Sequence, residues 1–366
     1  MLTAVQQGNA SAQLQSEAWG LKGAVLHRQV RMEESLEAAN QAVALDHLSS
    51  LALIQRASTL RDLKRYDEAL RDADQAIALA PGIAMHMVVR GTILAGIGRH
   101  KDALTAFEHA LASNPQNVDA WVGVTQALID LHRYQDALRA CAEGEQVFAA
   151  QPQQQNQLLR QKAASFGAMG RWEEALSVAD QVITQEPTEL WALQERGIAL
   201  MELKRFEEAL ETHRRILTLY PGNRETLIHV GQTYYIQDRQ EEALVAFDTA
   251  LQYYPNDTRI RELRTYVLAR LIARGQLPDD YSLDGTPELD HPVYWRTEAQ
   301  ELDRLREYDH ALAACDEGIR RYPGAVELMI SKVTYLIFRF GRFREAFQLF
   351  RQSIRVSRMY GHENTV

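Results

Sequence analysis

Three kinds of residue in this chain have the types and spacing to do chemistry. Paired carboxylates occur at Glu173–Glu174, Glu207–Glu208 and Glu241–Glu242, as general acid and base residues often do; there are two cysteines, Cys141 and Cys315; and Gly96 and Gly98 form a Gly-x-Gly. An acidic set, Asp279, Asp280, Asp284 and Glu288, invites comparison with a calcium loop. It lacks the alternating ligands and central glycine of an EF-hand. The eleven histidines show no ligand pair with a cysteine or carboxylate at metal spacing. Neither cysteine has a histidine beside it on its face to activate it, and the Gly-x-Gly follows no strand that would make it a phosphate loop. No catalytic group, metal or cofactor is therefore expected.

The spacing of the glutamate pairs leads to the elements that carry them. Each precedes an Ala-Leu, and the alanines Ala69, Ala103, Ala137, Ala175, Ala209, Ala243, Ala311 and Ala346 return at steps of 34, 34, 38, 34, 34, 68 and 35 residues, with Ser35 in phase before them. A period of this length signals stacked supersecondary units. One unit, Ala84 to Asn117, shows two helical patterns: Met87, Gly91, Leu94 and Ile97 stripe the first, which Gly98 stops, and Ala103, Leu104, Phe107, Ala110 and Leu111 stripe the second, which ends at Pro115. The glutamate pairs sit in the first turn of the second helix, where they complement the helix dipole. Both cysteines fall at position 24 of their units, a packing position. Tyr66, Tyr134, Trp172, Phe206, Tyr308 and Phe343 share position 17 and read as core staples.

Position 8 is always small: Gly23, Ala57, Gly91, Thr125, Ala163, Gly197, Gly231, Thr265, Ala299 and Thr334. A larger side chain there would force the two helices apart. Pro81, Pro115, Pro187, Pro221, Pro255 and Pro323 stop the second helices. The other prolines, Pro152, Pro278, Pro287 and Pro292, mark two interruptions. Four extra residues within Ala149–Gln157 predict a longer second helix or connection, with a hinge between two subarrays as the alternative. The stretch Gly275–Pro292 cannot be an ordinary second helix.

Trp19 with Gly23, Trp295 with Ala299, and Gly91, Ala103, Phe107, Ala110 and Pro115 resemble the tetratricopeptide repeat pattern. The resemblance runs over residues 16 to 358. It implies an all-α fold, a right-handed α-α superhelix of about ten helical-hairpin repeats, one of them degenerate, with first helices lining a concave surface. The expected organisation is an N-terminal extension (1–15), repeats one to four (16–149), a Gln-rich insertion (150–157), repeats five to seven with the first helix of repeat eight (158–274), an acidic irregular segment (275–291), then repeats nine and ten with a tail (292–366).

The resemblance implies a protein-interaction scaffold or adaptor, with positions 2, 5, 6, 9, 12 and 13 facing a groove for a peptide or partner protein. Repeats two to four offer Leu51, Ile54, Val88, Val89, Thr92, Val122 and Gln126. Repeats five to seven offer Arg160, Gln161, Trp191, Gln194, Glu195, His229, Gln232 and Tyr235. Repeats eight to ten offer Arg259, Arg270, Arg296, Arg304, Lys332 and Arg339, with Glu262 and Asp303 as acids. The strip thus grades from apolar to basic, and its basic end suits an acidic partner or the chain's own acidic segment folded back on it. The lysine-and-asparagine clamp by which some relatives hold chaperone tails is missing, since Gly20, Ala24, Gln55, Met85 and Val89 stand at the corresponding positions. An alternative is a regulatory or sensor subunit of a larger enzyme or defence complex.

A net charge of −9 argues against nucleic acid as partner. No run of about 18 apolar residues predicts a membrane span, and the first fifteen residues lack the charge and apolar core of a signal peptide. Two cysteines suit a reducing cytoplasm. Exposed apolar groove residues would permit self-association.

Overall fold

A computed structural model describes residues 2–277 and 291–360, with side chains described for 12–277 and 291–357. The described residues are α-helical throughout their regular structure. In chain order the hairpins are α1 (Leu2–Arg28) with α2 (Met32–Leu45), α3 (Ser50–Asp62) with α4 (Tyr66–Leu79), α5 (Ala84–Gly96) with α6 (His100–Ser113), α7 (Val118–Asp130) with α8 (Tyr134–Val147), and α9 (Pro152–Ala168) with α10 (Trp172–Gln185). Next come α11 (Leu190–Glu202) and α12 (Phe206–Leu219), α13 (Arg224–Ile236) with α14 (Gln240–Tyr253), the single α15 (Thr258–Ala273), α16 (Pro292–Arg304) with α17 (Tyr308–Arg321), and α18 (Val326–Phe338) with α19 (Phe343–Tyr360). Contacts divide the chain into an N-terminal unit, Met1–Ala199, and a C-terminal unit, Leu200–Val366.

The turn inside each hairpin is set by backbone hydrogen bonding. At the end of α3 the Lys64 N–H donates to the Arg61 carbonyl (2.8 Å) and the Arg65 N–H to the Leu60 carbonyl (2.8 Å), which requires Lys64 to be left-handed. Gly98 and Gly170 occupy the same position 15 at no steric cost, but Val30, Lys64, His132, Lys204, Asp238 and Arg306 hold positive φ there with a side chain attached. The residue after the turn is usually arginine, and it clamps the acid three positions on: Arg65 holds Glu68 (2.7 Å), Arg205 holds Glu208 (2.7 Å) and Arg239 holds Glu242 (2.9 Å). The glutamate pairs are accordingly helix-start groups, each with its second member ion-paired. First helices are capped by Ser49, Asn117, Asn223 and Asp257, whose side chains accept from the backbone two or three residues into the helix.

Packing follows the small residues. The position-20 alanines from Ala69 to Ala311 are fully buried. Ser35 substitutes for alanine by donating its hydroxyl to the Gly23 carbonyl (2.9 Å). A Cβ on Gly91 would meet the Phe107 ring at 2.7 Å, and one on Gly231 would meet the Phe247 ring at 2.5 Å, so the position-24 side chain fills the space the glycine leaves. Within the N-terminal unit the first helices α1, α3, α5, α7 and α9 touch in succession, whereas the second helices make no comparable contact. Helices that touch lie on the inside of a bend and those that spread lie outside, so in this unit the first helices form the concave layer.

Three expectations are corrected. The four extra residues near 150 lengthen neither α8 nor the connection; they add a turn to the start of α9, which has 17 residues where α7 has 13. Pro152 fits because the first residue of a helix needs no N–H donor. In repeat ten the extra residue lies in the turn after α18, so Val333 takes the buried small position and Thr334 is exposed, donating to the Ile330 carbonyl. Phe343 is 66% exposed and staples no core. Helix α1 runs unbroken from Leu2 through the N-terminal stretch, and α16 packs directly on α15. Residues 278–290, with Pro278, Asp279, Asp280, Asp284, Pro287 and Glu288, lie outside the described residues, and the acidic-segment and calcium-loop readings with them.

Relief of the left-handed turn residues should stabilise the protein. Val30→Gly, the β-branched case, should raise stability by about 0.5–1 kcal/mol after glycine's entropic cost, and Gly98→Ala should lower it by about 1 kcal/mol. Denaturant midpoints of the two variants measure both.

Candidate protein-interaction groove

In the N-terminal unit, successive first helices bring their position 2, 5, 6, 9 and 12 residues to one surface. There a hollow of about 530 Å³ is lined by Ser58 and Arg61 of α3, Met85, Val88, Val89, Thr92 and Ala95 of α5, Asp119, Val122, Gly123, Gln126 and Ala127 of α7, Gln161 of α9, and Phe107 of α6. Its depth comes from Gly123: a Cβ there would meet the Phe107 ring at 2.5 Å, so the ring lies under α7 and floors the hollow. Val88 and Val89 are buried in that floor, while Met85 and Gln126 stand exposed above it. Polar groups on the rim are held in place. The Arg61 guanidinium donates to Thr92 Oγ1 (3.1 Å) and Asp62 (2.7 Å), His27 meets the same carboxylate at 2.7 Å, and Gln126 donates to Asp130 (2.9 Å).

Further along this unit Trp191 is half-buried against Leu159, Val178 and Val182. Burial holds the Glu195 carboxyl above its usual range, with the charge of exposed Arg160 acting against the shift.

The C-terminal unit has a different character. His213, fully buried at position 24 of its repeat, stacks 5.7 Å from His229 at a groove position, and neither ring nitrogen of His213 has a hydrogen-bond partner among the described residues. Burial first, then the neighbouring imidazole, pushes His213 down to about 3, and burial also lowers His229. Elsewhere in this unit, Glu301 is 2% exposed and faces Arg270 (3.4 Å), Arg274 (3.4 Å) and Arg304. Arg270 and Arg274 also reach Asp238, each at 3.0 Å, and the Arg270 guanidinium lies 5.2 Å over the Tyr235 ring.

Two family models, both described as tetratricopeptide repeat, match the sequence, one at residues 95–161 and 200–265 and the other at 54–108 and 160–224. The chain is a tetratricopeptide repeat protein. Such repeats serve generally in protein–protein and peptide recognition. Among solved structures, a tetratricopeptide repeat protein from Parabacteroides merdae is similar over 70% of this chain and 99% of its own, at 16% identity and a TM-score of 0.55. PilW, a type IV pilus biogenesis factor, is similar over 58% of this chain and 96% of its own, at 14% identity and a TM-score of 0.50. No curated protein matches the sequence.

Of the groove residues expected from this repeat's phase, Val88, Val89, Thr92, Val122, Gln126 and Gln161 come together in the hollow. Met85 and Asp119 belong with them and were legible as position-2 residues. The basic end differs from expectation. Arg270 and Arg304 are ion-paired as described, Arg296 binds Glu327 and the Tyr266 hydroxyl (2.8 Å), and Arg339 binds Asp303 (2.8 Å) while lying 5.0 Å over the Tyr308 ring. Lys332 binds Asp316. Only Arg259 of that set has no such contact among the described residues. Arginines so engaged are not a free basic lining. The frame shift in repeat ten explains Lys332: it stands at position 7, not 6. There it repeats a pairing that the alanine frame did not reveal, in which a basic residue reaches an acid sixteen residues back, as Arg90 does Asp74 (2.7 Å), Arg196 Asp180 (2.9 Å) and Arg264 Asp248 (2.5 Å). Gln194, Gln232 and Tyr235 are half-buried. A second hollow, about 460 Å³, went unforeseen; Leu217, Tyr234 and Val245 line it, between α12, α13 and α14. Cys141 and Cys315 are buried and their thiols are pushed up to about 12 by that burial, which keeps them protonated. No helix of the described residues is long and apolar enough to cross a membrane.

Two outcomes are expected. A histidine whose folded pKa lies below its unfolded value, about 6.5, gives full stability above that pH and loses it as the unfolded chain takes up the proton. Stability should therefore fall from pH 6.5 towards the folded value near 3, and His213→Leu should flatten that fall in thermal scans across the range. Glu301→Ala leaves Arg270 and Arg274 short of a buried counter-charge and should cost about 3 kcal/mol of stability by denaturant titration.

Proposed function

We propose that this tetratricopeptide repeat protein is a non-catalytic scaffold whose N-terminal unit holds a segment of a partner protein in the hollow between α3, α5, α7 and α9. The observation that carries this reading is the 530 Å³ space itself, built by four successive first helices and lined by aliphatic and amide side chains. Met85, Val88, Val89 and Val122 offer a dry surface for apolar side chains. Gln126 and Gln161 bring side-chain amides that can pair with the backbone of an extended segment. An acidic segment as ligand of the arginine-rich end has less support, because Asp238, Glu301, Asp303 and Glu327 already occupy those arginines. Buried, protonated cysteines suit a reducing compartment. A second reading, a regulatory arm of a larger assembly, is favoured by one feature outside the groove, the uncovered face of α19.

Photo-crosslinkers placed at Met85 or Gln126 in the source cells should capture a partner polypeptide, whereas one at exposed Glu108 on α6 should not. Met85→Glu should lower the capture at Gln126 at least tenfold without moving the unfolding midpoint. Equal capture from Glu108 would put the interface on the outer helices and overturn the proposal.

A further inference from the structure

Second helices carry mainly apolar or small residues at positions 17, 21, 24 and 28, with His100, Gln240, His213 and Glu145 as the exceptions, and the following first helix packs on them. At position 21, Leu104, Leu176, Leu210 and Leu244 are buried, and at position 24 so are Ala73, Phe107, Cys141, Ala179, His213, Phe247 and Cys315. Helix α19 breaks the rule. Its residues in that phase are Phe343, Phe347, Phe350 and Ile354, exposed by 66%, 61%, 46% and 39%. Its other side is docked normally, with Ala346 and Leu349 packed on Val333 and Leu336 of α18. The bare stripe amounts to roughly 400 Å² if each side chain offers about 200 Å², a size at which patches on folded proteins are commonly functional.

Arg344, Arg351 and Arg355 run along one edge of this stripe, one residue round the helix from Phe343, Phe350 and Ile354. No acid among the described residues pairs with them; Arg351 lies 5.7 Å over the Phe347 ring. This contrasts with the groove arginines of the same unit, which are nearly all ion-paired. The other edge of the stripe is the side docked on α18, so one flank alone is open to charge. Antiparallel pairing of α19 with a second copy of the chain is disfavoured, because it would set arginine edge against arginine edge.

We propose that α19 is a docking face for an amphipathic helix of a partner protein, which takes the place of a following first helix, buries its apolar stripe on Phe343, Phe347, Phe350 and Ile354, and sets acidic side chains along Arg344, Arg351 and Arg355. This site is separate from the groove of the N-terminal unit and does not rest on it. Knobs of three phenylalanines supply the affinity, and the arginine edge fixes the direction and register of the incoming helix.

The test uses the full chain and two labelled helical peptides. Each carries the sequence of α18, Val326–Phe338, lengthened by a turn at both ends, with glutamates along the flank that would face the arginines in one and lysines in the other. In fluorescence anisotropy the glutamate peptide should bind at least tenfold more tightly than its lysine twin, and more weakly as salt rises. Phe347→Gln with Phe350→Gln should weaken it at least tenfold, Arg351→Glu with Arg355→Glu should reverse the preference between peptides, and Met85→Glu in the groove should change nothing. Both double variants alter exposed side chains, and unchanged circular dichroism would confirm that they fold. Equal binding of the twins, binding of neither, or loss with Met85→Glu alone would overturn the proposal. So would a dimer in sedimentation equilibrium that the Phe347 and Phe350 variant converts to monomer, which would assign the face to a second copy.

Discussion

A two-helix hairpin of 34 residues has two apolar stripes and can bury only one of them against itself. The inward stripe of each second helix has to be covered by the next first helix, and this requirement for a successor organises the molecule. It explains why position 24, wherever a first helix follows, is buried whether it holds alanine, cysteine, histidine or phenylalanine, while glycine stands at Gly91, Gly123 and Gly231, where a phenylalanine must pass between helices. It also makes the groove. First helices that each touch a neighbour on both sides form a close layer, and their remaining face is left to solvent with side chains whose type packing does not dictate.

Charge plays a supporting part in this scheme, and its two uses differ by burial. The arginine-to-glutamate clamps at the start of second helices are exposed, and such pairs contribute little to net stability. Their regularity reflects the geometry of the turn, which puts a cap residue and the first helical turn side by side. The cluster of Arg270, Arg274 and Arg304 around Glu301 is another matter, since Glu301 is removed from water and leaves no neutral alternative for its neighbours. That cluster lies near the interrupted repeat, where α16 packs directly on α15. Charge there ties α15 both to α16 and to Asp238 before α14.

Much of the fold was legible because the constraint acts on residue size at fixed intervals. Alanine at position 20, small residues at position 8 and proline after the second helix all report packing that every repeat must satisfy. What the sequence concealed was local bookkeeping of phase. Five glutamines and a proline near 150 could have lengthened either neighbour, and helix-favouring residues after Pro152 decided for α9. One residue inserted in the turn before Phe343 shifted the frame of repeat ten, moving Lys332 and Arg339 out of the groove positions and Thr334 out of the core. The hollow of α3, α5, α7 and α9 was partly visible as a run of valines, but its depth depends on Gly123 admitting Phe107, a relation between two helices that spacing within one repeat does not show. Arginine partners were likewise hidden, because apart from Glu301 beside Arg304 the acids lie far from them in sequence.

Position 24 has a further consequence for a chain built of near-copies. Repeats of similar sequence can dock in the wrong order, with a hairpin stacking on a neighbour one or two periods away, or on the same hairpin of another molecule. Here the side chain at the junction varies along the chain: Phe107 needs Gly123 of the next repeat, His213 faces the imidazole of His229, and Cys141 and Ala179 hold smaller volumes. A hairpin displaced by one period would set the Phe107 ring against a first helix that lacks this glycine. Unequal residues at an equal position thus act as a lock on stacking order, so that the diversity at one site protects the array from the mispairing its own repetition invites.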